Sequence, residues 1–359
     1  MQHDIEFGLD TFLPVTDDES GKPIDGAQVI RNTVDEAVLA ESVGIDSFNI
    51  GEHYRDDMMD SANHVILAAI AARTERIRLG TAVTVLSTQD PVRLYTEFAT
   101  LDALSDGRAQ LIVGRGSATE SFPLFGFDLA DYEELFEEKL GLFTRLLREQ
   151  PVTWSGTFRT PLSGQVLGPS IPEGHIPTWV GVGGSPQSVM RAARFGLPLM
   201  LAIIGGDPQR FAPYVDLYKR ALEQYSQPQL AVGVHSLGFV APTDEQAKAI
   251  QWPYYKQTFE RAARERGWRT PTYEQFLAEV DHGSMYVGSP ETVAKRIADV
   301  IGTLGLSRFD LAYAVGGVPH PQRMAAIELY GHEVVPRVRE LLATDDSGDA
   351  HAVESGVGR

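Results

Sequence analysis

Ser47-Phe48-Asn49-Ile50-Gly51-Glu52-His53-Tyr54 reads as a short apolar strand that ends on a glycine, a carboxylate and an imidazole. Two other runs close in a related way: Leu79-Gly80-Thr81-Ala82-Val83, and Leu111-Ile112-Val113-Gly114-Arg115-Gly116. A strand that finishes in titratable or glycine-rich residues and leads into a helix presents those residues at the catalytic rim of an α/β barrel. Three such endings in one half of the chain point to a site as well as a fold.

Outward from these runs, short β-rich stretches alternate with longer helical patterns, the signature of βαβ units and a parallel sheet. Strands are expected near residues 5–9, 47–50, 77–83, 109–113, 178–181, 199–203, 230–240 and 309–314. Helices are expected near 27–43, 61–73 and 131–148, between Asp90 and Gly107, and from Pro186, Pro208, Pro290 and Pro321. Asp90-Pro91 at one end and Gly107 past the other give the Pro and Gly placement of a helix. Within 131–148, Leu135, Phe136, Leu140, Phe143 and Leu147 share a face, and Glu133, Glu134, Glu137 and Glu138 supply a solvated remainder.

Eight strand–helix repeats predict an α/β fold, a (β/α)₈ TIM barrel, as a single domain over 1–340. Two insertions interrupt it. Residues 151–174, after the fourth strand, contain a hairpin pattern; residues 243–286, after the seventh, carry helical patterns around a charged stretch and read as a lid. The acidic C-terminal tail, 341–359, is expected to be disordered, because its composition cannot bury enough surface to order itself.

The chain has 359 residues, 43% hydrophobic and 22% charged, and no cysteine. Disulfides, thiolate metal sites and a cysteine nucleophile are thereby excluded, and a cytoplasmic location is expected. No apolar run approaches a membrane span, and His3-Asp4-Ile5-Glu6 is not the start of a signal peptide. A net charge of −18 repels phosphate backbones and anionic lipid, which argues against nucleic-acid and membrane partners. An anionic ligand needs a local cluster of donors to overcome that field.

His53 suits a general base at a strand end, with Glu52 as its neighbouring carboxylate; a hydrogen-bonded structural histidine is the alternative. No metal is expected: there is no H-E-x-x-H, and His64 has no clustered partner in sequence. Arg115 between two glycines suits phosphate binding, against the alternative of a surface arginine in a loop. Gly181-Val182-Gly183-Gly184-Ser185-Pro186-Gln187-Ser188 leads from a strand into a helix start. Such a start presents free N–H groups to an anion, so Gly183, Gly184, Ser185 and Ser188 are read as a phosphate cradle for a mononucleotide. Ser185 also reads as an ordinary N-cap.

Taken in order, these elements resemble the bacterial luciferase-like flavin-dependent monooxygenases, an alkanal monooxygenase-like family, over residues 7–339. The resemblance rests on Gly51-Glu52-His53, Leu79-Gly80-Thr81-Ala82-Val83-Thr84-Val85-Leu86, Asp90-Pro91-Val92-Arg93, Leu104-Ser105-Asp106-Gly107-Arg108 and Gly114-Arg115-Gly116. Phe195-Gly196-Leu197-Pro198 and Val287-Gly288-Ser289-Pro290-Glu291 extend it. It implies a TIM barrel binding FMN, or in some branches a deazaflavin.

By the resemblance, His53 matches the active-site histidine and Glu52 the carboxylate before it, which we read as its orienter or charge partner. Ala82 and Val83 match a pair joined by a non-prolyl cis peptide against the flavin ring. Arg115, Ser185 and Ser188 match phosphate-binding positions, and the second insertion matches a mobile active-site loop. Tyr54 and Met58 are candidates for the substrate pocket, as are Met59 and Trp252.

Tyr54 stands where luciferase has a second histidine, Gly114 where it has a reactive cysteine, and Gly184 where it has a glutamate, so light emission is not expected. The implied activity is a two-component monooxygenase using O₂ and reduced FMN from a separate reductase on a small organic substrate, as a homodimer. Deazaflavin-dependent hydride transfer and a non-catalytic flavin-binding protein are the alternatives.

Overall fold

The structure, a computed structural model, describes residues 5–18, 21–171, 176–266 and 269–354. Strand β1 (Glu6–Thr11) pairs in parallel with β2 (Ser47–Ile50), and β2 with β3 (Arg78–Thr81). The third barrel strand breaks at Thr81 and resumes as β4 (Thr84–Val85), with the cis peptide Ala82–Val83 in the gap. β4 pairs with β5 (Leu111–Gly114), and a bridge from Leu79 to Ala109 ties β3 to the entry of β5.

An antiparallel hairpin, β6 (Val152–Trp154) and β7 (Leu162–Gln165), occupies the first predicted insertion. Residues 172–175 of that insertion lie outside the described residues. The ring continues through β8 (Thr178–Val182), β9 (Leu199–Ala202) and β10 (Val232–Val240), whose far end also carries β11 (Tyr286–Gly288). β12 (Arg308–Ala312) pairs with both β10 and β1 and completes the circuit. This is the predicted TIM barrel.

Helices follow the strands and cover them. Asp90 accepts hydrogen bonds from the Val92 and Arg93 N–H groups at the start of helix Pro91–Leu104, so the predicted cap is made. Helix Tyr132–Arg148 buries Leu135, Phe136, Leu140, Phe143 and Leu147, as its pattern requires.

The second insertion consists of helices Asp244–Arg266 and Tyr273–His282 with a small core of their own, including Tyr255, Phe276, Val280 and Met285. Arg261 reaches across to Asp56 and Asp57, at 2.8 and 2.6 Å, on the loop after β2. The charged stretch of this insertion is helical as far as Arg266; residues 267–268 lie outside the described residues. Helix Val335–Glu354 extends into the predicted tail. Helix extension costs little once a turn is anchored, because each added residue brings one hydrogen bond. Residues 355–359 lie outside the described residues.

Strand alternation sorts two kinds of side chain. Phe7, Leu9, Phe48, Ile50, Leu79, Leu111, Val113, Phe309 and Leu311 join the main core beneath the helices. The alternate positions form a polar network inside the ring. Arg308 donates to Asp310 (Nε–Oδ1 2.8 Å, NH2–Oδ2 2.8 Å), to Gln110 Oε1 (2.9 Å) and to Ser47 Oγ (3.2 Å), and pairs with Glu6 (3.2 Å). Asn49 donates to Asp10 Oδ1 (2.7 Å) and accepts from Gln110 (2.9 Å). Glycine makes room for it: a Cβ on Gly8 would lie 2.6 Å from Ser47 Oγ.

Candidate active site

The chain leaves β2 through Gly51 and passes directly into His53. The His53 imidazole meets Asp60: Nδ1 lies 2.9 Å from Asp60 Oδ2, and the His53 backbone N–H donates to Asp60 Oδ1 at 3.1 Å. Asp60 is fully buried. Burial raises its carboxyl above the ordinary range, opposed by the hydrogen bond and charge of His53. An ionised carboxylate only accepts, so Nδ1 carries the proton and Nε2 is left to exchange one with a ligand. Phe12 packs on the ring edge to face at 5.2 Å and holds its tilt.

Glu52 does not orient His53. Its carboxylate accepts from Tyr54 Oη (2.6 Å), the Val85 N–H (2.8 Å) and Gln89 Nε2 (3.3 Å). Successive residues of an extended chain project to opposite sides, so a carboxylate next to a histidine in sequence is poorly placed to touch it. Burial raises the Glu52 carboxyl, and those three hydrogen bonds oppose the rise. Its work is to tie the end of β2 to the segment after the cis peptide.

Tyr54 is turned towards Glu52 and Phe125, the latter edge-on at 4.8 Å. Met58 is half-buried and bridges by its backbone to Pro14. Met59 packs against the main core, and Trp252 against Tyr273 and Phe276 in the insertion.

Val83 occupies space that glycines leave. A Cβ on Gly114 or on Gly181 would approach its methyl groups to 2.7 or 2.8 Å. The absence of a side chain at 114 thus has a steric reason in this barrel. Val113 pairs with Val180, so Arg115 and Gly183 follow the same ends of two adjacent parallel strands. From there Ser185 starts helix Pro186–Phe195: its Oγ accepts from the Ser188 N–H at 3.4 Å and donates to Gln187 Oε1 at 3.0 Å. Ser188 Oγ lies 3.5 Å from Ser185 Oγ. Both serines are therefore engaged in the cap, whereas Gly183 is open, with no atom within 4 Å of where its Cβ would be. Gly184 adopts φ +105°, a conformation that suits glycine. Arg115 lies over the Tyr132 ring at 5.0 Å and binds Glu133.

The sequence reading missed a second dyad. His235 Nδ1, on β10, lies 2.5 Å from Asp10 Oδ2, and Phe12 separates this imidazole from His53, with ring centroids at 6.0 and 5.2 Å. Nothing local marks either Asp10 or Asp60, because each pairing is made only by closure of the barrel or its loop. Among the described residues, no group of three His, Asp or Glu side chains could hold a metal ion. A cavity of about 510 Å³ opens at the other end of the barrel beside Glu41, Arg76 and Arg78. Glu41 is taken up there by the backbone N–H groups of Glu75, Arg76 and Ile77, so this end reads as structural.

The luciferase-like monooxygenase profile matches residues 9–308. The chain belongs to the luciferase-like monooxygenase family. It is 24% identical over 339 residues to the alkanal monooxygenase alpha chain of Photorhabdus luminescens, covering 87% of this chain and 93% of that one. It is 33% identical over 177 residues to the F420-dependent glucose-6-phosphate dehydrogenase of Nocardia farcinica, 46% of this chain and 51% of that one. Its fold matches the FMN-bound oxygenating constituent of 3,6-diketocamphane monooxygenase from Pseudomonas putida. The TM-score is 0.74 at 21% identity, over 93% and 99% of the two chains.

This luciferase-like barrel also buries a lysine. Lys139 donates to the Ser87 carbonyl at 2.6 Å and lies 3.9 Å from the Phe127 ring centroid. Burial lowers it from 10.5 to about 8, with Asp90 and Glu138 opposing. Below pH 8 the lysine is charged in both states, and the folded state bears the full penalty. As pH rises from 8 towards 10.5 the folded form releases its proton first, so Lys139 contributes a gain in stability of roughly 3 kcal/mol at most. Urea unfolding of wild type and Lys139→Met across that range should show this rise in the wild type only. Parallel profiles would refute it.

Proposed function

We propose that the protein is an FMN-dependent two-component monooxygenase that oxidises a small organic substrate with O₂, and is not bioluminescent. The carrying observation is the His53–Asp60 dyad just past the end of β2, with Ala82–Val83 just past the end of the neighbouring β3 and Arg115 just past β5. The residues fit a flavin phosphate: Arg115, the open backbone at Gly183 and the start of helix Pro186–Phe195 share one edge of the ring. When bound, reduced flavin supplies the electrons that activate oxygen.

The chain's own part is positional and acid–base. His53 Nε2 holds or delivers a proton, Asp60 fixes the ring, and Glu52 anchors Val85 so that Ala82 and Val83 stay in register. The helical insertion, tied to Asp56 and Asp57 by Arg261, would limit water at the mouth. Reduced FMN would come from a separate flavin reductase. A cytoplasmic homodimer completes the reading, with exposed Val65 and Leu104 on the helices after β2 and β3 as apolar surface.

Deazaflavin-dependent hydride transfer is the second reading, favoured by the likeness of the Nocardia farcinica enzyme to part of the chain. Side-by-side titration with reduced FMN and reduced deazaflavin separates the two. Tighter binding of reduced FMN, with oxygen consumption and oxygenated product from a panel of small ketones and aldehydes, is expected. Saturable binding of deazaflavin alone would transfer the assignment to the second reading.

A further inference from the structure

At the edge assigned to the cofactor phosphate, two guanidinium groups converge on one carboxylate. Glu133 binds Arg115 through Oε1 and Arg191 through Oε2, the latter at 2.7 Å. Arg191 lies on helix Pro186–Phe195, three residues after Ser188, and therefore on the same helix face. Its side chain is only 9% exposed, and its NH1 has no hydrogen-bond partner among the described residues. Its Nε is held by Glu137 at 2.7 Å, and Glu137 also binds Arg194. Charges thus alternate from Arg115 outward: Glu133, Arg191, Glu137, Arg194.

We infer that Glu133 is an internal competitor for the phosphate seat, and that Arg191 is that seat's second cation. A phosphate monoester offers the same chemistry as Glu133, two or more anionic oxygens spaced for a guanidinium, with more charge. To reach Arg115 it must displace the carboxylate, and the displacement exposes Arg191 to the incoming oxygens. Glu133 is about half exposed and sits on the first turn of its helix, where it swings out into water at low cost. In a protein of net charge −18 this arrangement keeps two cations together without a ligand and still yields them to one. The inference rests on the reading that Arg115 grips the cofactor phosphate.

The test uses FMN and riboflavin, which differ only in the phosphate, titrated into wild type, Glu133→Gln and Arg191→Met by flavin fluorescence. FMN should bind the wild type more tightly than riboflavin. Glu133→Gln should tighten FMN by about fivefold, the size of a half-exposed charge pair, and leave riboflavin unchanged. Arg191→Met should weaken FMN alone. If the wild type does not distinguish FMN from riboflavin, the phosphate seat itself is wrong. If it does, but Glu133→Gln leaves FMN affinity unchanged or weaker, the competitor is refuted and the seat stands. Thermal melts of each variant identify any loss of fold, and the unchanged riboflavin affinity provides a second check.

Discussion

His53→Ala should lower product formation by about 10²-fold to 10⁴-fold, the range for a removed acid–base group, while reduced-FMN affinity stays within a few-fold of wild type. The separation follows from geometry. His53 is held by Asp60 and Phe12 at the end of β2, whereas the proposed phosphate contacts come from the ends of β5 and β8. Asp60→Asn provides the companion result. An amide can still face Nδ1, but it no longer favours one tautomer or stabilises an imidazolium, so turnover should fall at least about tenfold at unchanged flavin affinity. Wild-type turnover in His53→Ala, on whichever carbonyl compound the wild type accepts, would remove the histidine from the chemistry.

Arg308→Met should destabilise the barrel by about 3–5 kcal/mol, the cost of removing one partner from a buried charge pair. Burial works against the charge of this guanidinium, but Asp310, Glu6 and Asp10 outweigh it and raise Arg308 above its usual value. Without it, the fully buried Asp310 keeps a long hydrogen bond from Asn49, at 3.4 Å, and faces the carboxylates of Asp10 and Glu6. Its carboxyl must then move up in pKa, so the deficit should shrink as pH falls and the acid becomes neutral. Arg308→Met combined with Asp310→Asn should recover a substantial part of the loss. Guanidinium unfolding of the single and double variants at two pH values measures both effects. A single variant as stable as wild type at neutral pH would show that the network carries little energy.

The barrel was legible because its strands are punctuated. Gly51, Gly107 and Gly196 and the prolines at helix starts mark where each βα unit turns, and the structure places strands near each predicted run. The polar interior was not legible. Glu6, Asp10, Ser47 and Asn49 alternate with large apolar residues, a pattern that equally describes a strand with one wet face. Only closure of the ring shows that the polar side is the sealed one.

The site divides in the same way. His53, Ala82, Val83, Arg115 and the start of helix Pro186–Phe195 could be named from strand ends. The partners that orient them could not, since Asp60, Asp10 and Arg191 are matched to His53, His235 and Glu133 by loops and helices that meet in three dimensions. Glu52 was assigned to His53 by adjacency and is instead a strut between strands.

Arg308 also has a temporal meaning. Its partners Gln110 and Ser47 precede it by 198 and 261 residues, so a ribosome releases most of the inner lining long before the cation that neutralises it. A nascent chain halted ahead of Arg308 leaves Glu6, Ser47 and Gln110 without the guanidinium that joins them. Splitting this protein into two independently stable halves should therefore fail, and its final strand acts as the closing signal for biogenesis.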